Sequence, residues 1–356
     1  HVKSLKGSVG RSVFSGDAKI LKRGARTKVV GAVRASRFDF DDLADDAGRA
    51  EAAALRARLG PRIIPNTRIN LSKIGKTDIE MDFAADQLLV EDGSVFRSLK
   101  AKASLDQRLL TVTDIAAKME QGVMTGSARV DHRSGRPKLS TNLRFSGATL
   151  DFVFGNPDIV TGPVRGVVAL TGSGDTVREA LTRAGGKVGM VATRGSMKAA
   201  VADVLGQDLG KTIGQLVSAP SERDPLHCLV AGFTARNGVL TPAPLVISAG
   251  SSVGRGSGRI VMDGERVELT LRGAADKQSG LRIADPIRIH GTLSSPRVSV
   301  AGLNAKTKPT IGRALKVLGK SVGNALGLGD EAKSRADVKV VAEPVNCSAL
   351  SAQLFS

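Results

Sequence analysis

Several stretches of this chain carry residue types that could do chemistry. Gly250-Ser251-Ser252-Val253-Gly254 fits the G-x-S-x-G pattern, in which a serine on a sharp strand-to-helix turn becomes an acyl-transfer nucleophile. That elbow needs a helix behind the serine. Here a glycine-rich turn and an alternating run follow, so a hydrolase is set aside. Gly206-Gln207-Asp208-Leu209-Gly210-Lys211-Thr212 approaches a phosphate loop, but three residues separate its glycines where the cradle requires four. It also lies in a stretch of helical period rather than behind a strand. Gly172-Ser173-Gly174 lacks the third glycine of a dinucleotide turn, because position 177 is Val177.

Asp39, Asp41, Asp42, Asp45 and Asp46 crowd one segment, and a calcium loop would use such carboxylates. No glycine and glutamate follow at the ligand positions of such a loop, so the plain reading is acidic residues at a helix entrance. The histidines His1, His132, His227 and His290 are scattered singly, without the i, i+2 or i+4 pairs that hold zinc. Neither a catalytic residue nor a metal or cofactor follows from this inventory, and the chain reads as non-enzymatic.

The elements explain why. Leu229, Ala231, Phe233 and Ala235 alternate with Val230, Gly232 and Thr234; Leu245 and Ile247, then Val267, Leu269 and Leu271, then Ile287 and Ile289 repeat the pattern. Period two means strand. Asn237-Gly238, Gly254 to Gly258, Asp263-Gly264 and Ser295-Pro296 are the expected turns between these runs. An antiparallel meander with one apolar face results. Such a face must be covered by another layer or by a ligand.

The same alternation runs through Ser8 to Leu21, Thr27 to Phe38, and a second meander from Arg68 to Leu150. Ala47 to Leu59, rich in Ala, Arg and Glu, predicts a helix ended by Gly60-Pro61. Asp175 is the expected N-cap of a short helix to Ala184. Val188 to Met197 reads as one strand, and Val201, Val204, Leu205, Leu209, Ile213, Leu216 and Val217 as one side of an amphipathic helix. Beyond Lys306-Thr307-Lys308-Pro309, the residues Ile311, Leu315, Leu318, Val322 and Leu326 stripe a basic helix. It would pack across the sheet end or lie on a membrane surface.

Composition agrees with many short strands. Aromatic residues are 3%, Trp and Tyr are absent, and glycine numbers 41 of 356 residues, so large core anchors are scarce. The net charge is +18, which attracts anionic lipid, acidic polysaccharide or nucleic acid alike. Lys3, Lys6, Arg11, Lys19, Lys22, Arg23, Arg26, Lys28, Arg34 and Arg37 face only Asp17 across the first 37 residues. They read as a solvated strand face or as contact with an anionic membrane surface. Specific nucleic-acid recognition has no aromatic platform or recognition helix to work with. Cys228 and Cys347 allow one bridge, and free thiols are equally compatible with the residues alone. No window of about 18 apolar residues exists to span a bilayer, and the chain opens on His1 without a signal peptide, which implies a targeting segment lying elsewhere.

The residues also resemble a known family. Leu226-His227-Cys228-Leu229-Val230-Ala231-Gly232-Phe233, Asn237-Gly238-Val239-Leu240, Gly256-Ser257-Gly258-Arg259-Ile260, Val267-Glu268-Leu269 and Ile289-His290-Gly291-Thr292-Leu293-Ser294-Ser295-Pro296 are similar to the C-terminal region of AsmA-family proteins of the bacterial envelope. Thr171-Gly172-Ser173-Gly174 and Gly185-Gly186-Lys187-Val188 fit the same region, and Gly10-Arg11-Ser12 with Ser15-Gly16 resembles the family's repeat. The likeness covers roughly residues 8 to 303 and is strongest from Val164 to Val300.

The resemblance implies an elongated, mainly β fold with a few amphipathic helices packed on a twisted antiparallel sheet. Its divisions would be 1–150, repeat strands with a helical insertion near 44–60; 151–303, a C-terminal meander with helices near 175–184 and 198–218; and 304–356, a basic tail. It further implies a periplasmic protein tethered to the inner membrane by an N-terminal helix absent from this chain, with partners among envelope proteins. Phospholipid would be bound or conducted along an apolar groove like that of bridge-like lipid transfer proteins. The lining expected from alternation is Leu229, Phe233, Leu245, Ile247, Leu269, Leu271, Ile287 and Ile289, which would otherwise be core. An oxidising compartment would favour a Cys228–Cys347 disulfide. The alternatives are an envelope scaffold without lipid, and a basic surface or glycan-binding β-protein.

Overall fold

The computed structural model describes residues 2–39, 42, 50, 54, 57, 64–72, 74–89, 96–154, 158–205, 221–275, 286–300 and 345–356. The chain begins with β1 (Val2–Val9), β2 (Ser12–Arg23) and β3 (Arg26–Asp39), followed by β4 (Thr77–Ala85) and the short β5 (Leu88–Leu89). Then come β6 (Phe96–Asp106), β7 (Leu109–Met119), β8 (Val123–Asp131), β9 (Lys138–Thr149), β10 (Val160–Thr161) and β11 (Pro163–Ser173). The last run is β12 (Gly185–Ala192), β13 (Gly195–Lys198), β14 (Arg223–Arg236), β15 (Val239–Ala249), β16 (Ser252–Val261), β17 (Arg266–Ala275), β18 (Ile287–Thr292) and β19 (Ser295–Val300). Four α-helices among the described residues accompany them: α1 (Leu150–Phe154), α2 (Val177–Leu181), α3 (Ala199–Leu205) and α4 (Cys347–Phe355).

All the strands join one open sheet, a 19-stranded ribbon. Neighbours in sequence pair antiparallel almost throughout, and β9 pairs with β11 across positions 150 and 151, so the sheet does not break there. The exception is β3, which runs parallel to β4 and to β5. A parallel pair needs a long crossover, and residues 40–76 supply it. The helix expected over Ala47 to Leu59 falls in this crossover, where Ala50, Ala54 and Ala57 are described and are helical; the rest of it, most of the helix near 198–218 and all of the basic helix near 310–327 lie outside the described residues. Among the described residues, no helix is long and apolar enough to cross a membrane.

Several local expectations need correction. Gly254, Gly256 and Gly258 do not form a turn. They lie inside β16, and the turn is at Gly250-Ser251. The reason is packing: a Cβ on Gly256 would stand 2.2 Å from Leu245 Cδ2, so glycine there makes room for a leucine of the neighbouring strand. The helix after β11 is capped by Thr176, whose side chain accepts from Glu179 N, not by Asp175, and it ends at Leu181. Thr193 and Arg194 split the run from Val188 to Met197 into β12 and β13. By contrast, Asn237 and Gly238 take φ of 48° and 72° at the β14–β15 turn, the positive pair a tight hairpin requires.

Candidate functional site

Register carries one face of the ribbon from strand to strand. Gly31 stands opposite Met81, Met81 opposite Ala103, and Ala103 opposite Val112. Val112 then meets Ala128, and Ala128 meets Thr141. A parallel row holds Val33, Phe83, Gly126 and Leu143, with Ile115 at a bulge opposite Gly126. Because successive side chains point to opposite faces, both rows share one side of the sheet. Every one of these residues is half-buried. Together they floor a trough that crosses β3 to β9, and the described helices make their extensive contacts only with β9 and later strands.

Two rims bound this floor. Along one, the described end of the crossover, residues 64–72 and 74–76, passes over the strand ends. Ile69 and Leu71 pack on Leu105, Val130 and Leu139. The alternation at Ile69 and Leu71 predicted a strand of the meander. In the structure this segment makes one isolated bridge, Arg68 to Thr176, and is fastened mainly by side chains. Asn70 Nδ2 donates to Asp175 Oδ1 at 2.6 Å, and Leu71 N donates to His132 Nδ1 at 3.0 Å. At its far end the fully buried Glu265 takes Arg178 Nη1 at 3.0 Å and Ile64 N at 3.2 Å. Arg178 also donates to the carbonyl of Ile64. Deleting either member would leave the other charge buried and unpaired, which costs about 3–5 kcal/mol.

Phe38 and Leu88 form the other rim, packed with Ala35, Ala85, Phe14 and Phe83. The Phe38 ring meets Phe83 edge-on at 5.2 Å, a favoured aromatic arrangement. At the adjoining turn Asp42 accepts from Ser12 N and Oγ at 2.8 and 2.6 Å, while Asp39 is buried beside Arg11. These two carboxylates hold the β1–β2 turn to the end of β3. No group of three or more His, Cys, Asp or Glu suited to a metal occurs among the described residues.

Over β3 to β7 the reverse face carries ion pairs. Lys28 meets Glu80, Arg34 Nη2 meets Asp86 at 2.8 Å, and Lys102 meets Asp114 at 3.3 Å. A hollow of about 780 Å³ on that face is floored by Ala32, Ala84 and Ala116 and ringed by charges of both signs. Arg26, hydrogen-bonded to Asp78, holds that carboxyl down at about 2, helped by the backbone N–H of Gln107. Asp131 is held well below the usual carboxylate range, first by its hydrogen bond from the Arg133 side chain.

All eight residues expected to line the groove stand on the trough face, but farther along the ribbon. Leu229, Leu245, Leu269, Leu271 and Ile287 are buried, and Phe233, Ile247 and Ile289 pack against them in one cluster. Ala202 and Leu205 of α3 and Ile64 of the crossover belong to that cluster, so here the face is covered by protein. The open floor over β3 to β9 was written in the sequence as the same alternation. Its exposure was not, because exposure depends on which elements fold back over the sheet.

Cys228 and Cys347 form a disulfide with a Cα–Cα distance of 5.6 Å. It ties α4 to the reverse face, where Leu354 packs with Val167, Val191 and Val230. Arg165 donates to Ser351 Oγ at 2.8 Å and lies 4.7 Å from the centre of the Phe355 ring. In the elbow-like stretch, Ser252 and Val253 belong to β16 and no helix follows, so the strand-to-helix geometry of a nucleophile elbow is missing. His132 is used in holding the crossover, and His227 and His290 are exposed. The phosphate-loop-like stretch lies outside the described residues. No family model matches this chain, and no curated protein or solved structure matches it either.

Proposed function

We propose that this chain is an AsmA-like envelope protein of the periplasm that binds or conducts phospholipid along its apolar face, without catalysing a reaction. The observation that carries the reading is the continuous register of small and mostly apolar residues across the ribbon, half-buried over β3 to β9. A face of this kind shields hydrocarbon from water, and each buried CH₂ contributes about 0.8 kcal/mol. Over the same strands the reverse face carries ion pairs such as Lys28–Glu80 and Lys102–Asp114, which suit solvent. The Cys228–Cys347 bond favours an oxidising compartment, since structural disulfides persist there and are rare in the cytosol.

The second reading is an envelope scaffold that carries no lipid, favoured by the closed cluster around Leu245, Leu269 and Ile287. Purification without detergent, followed by solvent extraction and mass spectrometry, separates the two. Phospholipid recovered in stoichiometric amount is the expected result. Protein that remains lipid-free after incubation with phospholipid vesicles would leave the scaffold reading.

A further inference from the structure

The two rims of the trough differ in charge. On the rim beside the crossover, Lys76 precedes β4, Arg108 sits at the β6–β7 turn and Arg136 at the β8–β9 turn, all exposed. None of the three has a carboxylate at ion-pair distance among the described residues, while nearby Asp78 and Asp131 are taken by Arg26 and by Arg133 with Arg129. Lys22, also exposed, falls on the trough face by the same alternation that places Ala18 opposite Gly31. Toward the opposite rim Arg11 pairs with Asp39 and Arg97 with Glu120, while the exposed Arg37 and Lys118 have no carboxylate at ion-pair distance among the described residues. The open apolar floor therefore has its larger excess of positive charge on the crossover side, where Lys76, Arg108 and Arg136 outnumber the exposed carboxylate of Asp106.

We infer that the trough over β3 to β9 takes an anionic phospholipid, its acyl chains on the floor and its phosphodiester headgroup on the rim of Lys76, Arg108 and Arg136. This rests on the lipid-binding reading and adds where the lipid lies and which headgroup charge is selected. The pairing of these strands gives the floor five steps of ~4.8 Å, or roughly 24 Å, room for extended hydrocarbon. Beyond it the same face is filled by Leu245, Leu269 and Leu271, each under 9% exposed, so the ligand site stops short of β15. A zwitterionic headgroup brings its own ammonium to the cationic rim and gains less from it, whereas a headgroup of net negative charge accepts charge-assisted hydrogen bonds without that repulsion.

The test uses the full chain and two sets of vesicles, phosphatidylglycerol and phosphatidylcholine, with lipid bound to protein quantified after the vesicles are floated away. Phosphatidylglycerol is expected to be extracted in preference by about tenfold, equivalent to ~1.4 kcal/mol. The Lys76→Gln, Arg108→Gln, Arg136→Gln variant is expected to lose that preference while keeping its uptake of phosphatidylcholine. A photoreactive amino acid at Ala103 should crosslink the bound lipid, and one at Leu269 should not. Equal extraction of both lipids, or an unchanged preference in the triple variant, overturns the headgroup assignment. Equal crosslinking at Ala103 and Leu269 overturns the placement but leaves lipid binding standing. Extraction of neither lipid removes the underlying reading together with this one.

Discussion

Arg26 and Asp78 show how single residues hold the one irregular junction of the ribbon, where β3 runs parallel to β4. Arg26 Nε donates to Asp78 Oδ2 at 2.8 Å, and Gln107 N donates to Asp78 Oδ1 at 3.1 Å. The folded carboxyl titrates at about 2, below its ordinary 3.8. Its contribution to stability is therefore complete above pH 3.8 and is lost as the pH falls through about 2. Asp78→Asn should lower the urea midpoint at neutral pH, and the gap from the parent should close between pH 4 and 2. A gap independent of pH would show that the charge contributes nothing at this junction. Residue identity was enough to list the charges; which of them meet depended on the parallel register, which alternation does not encode.

At the scale of elements, α4 is the clearest case of structure supplied by distance. Its nine residues are too few for a stable isolated helix, and it survives by packing on an apolar patch of the reverse face. Glycines make that packing possible, since a Cβ on Gly189 would stand 2.6 Å from Leu354 Cδ1. The disulfide links residues separated by 119 positions, and closing so long a loop in the unfolded chain is worth about 2–5 kcal/mol. Cys228→Ser with Cys347→Ser should reduce unfolding free energy by that amount in urea titration, and α4 should become protease-sensitive. Unchanged stability would mean that packing alone holds the helix. The alternation in β14 was legible, but the reason for apolar residues on both of its faces was not, because the second cover arrives from the other end of the chain.

For the whole molecule, the ribbon is graded. Around β14 and β15 both faces are covered, with Val230 and Ala249 at 0% exposure. Toward its beginning β1 and β2 display Leu5, Val9, Val13 and Ile20 at 45–57%, and among the described residues β1 pairs with β2 alone. Local opening costs least where few apolar contacts are lost. Backbone amides of β14 and β15 should thus exchange with solvent about a hundredfold more slowly than those of β1 and β2, as read by hydrogen-exchange mass spectrometry. Uniform protection would contradict a graded sheet. The same gradient places the open part of the trough in the first half of the chain.

Taken alone, the order of residues determined the strands, their common apolar face and most hairpins, because these follow from period two and from the conformational limits of individual residue types. It could not determine which part of that face stays open. That was decided by the crossover from β3 to β4 and by α3, elements that reach over strands distant in sequence. Burial is a property of what folds back onto a residue, and no local pattern records it.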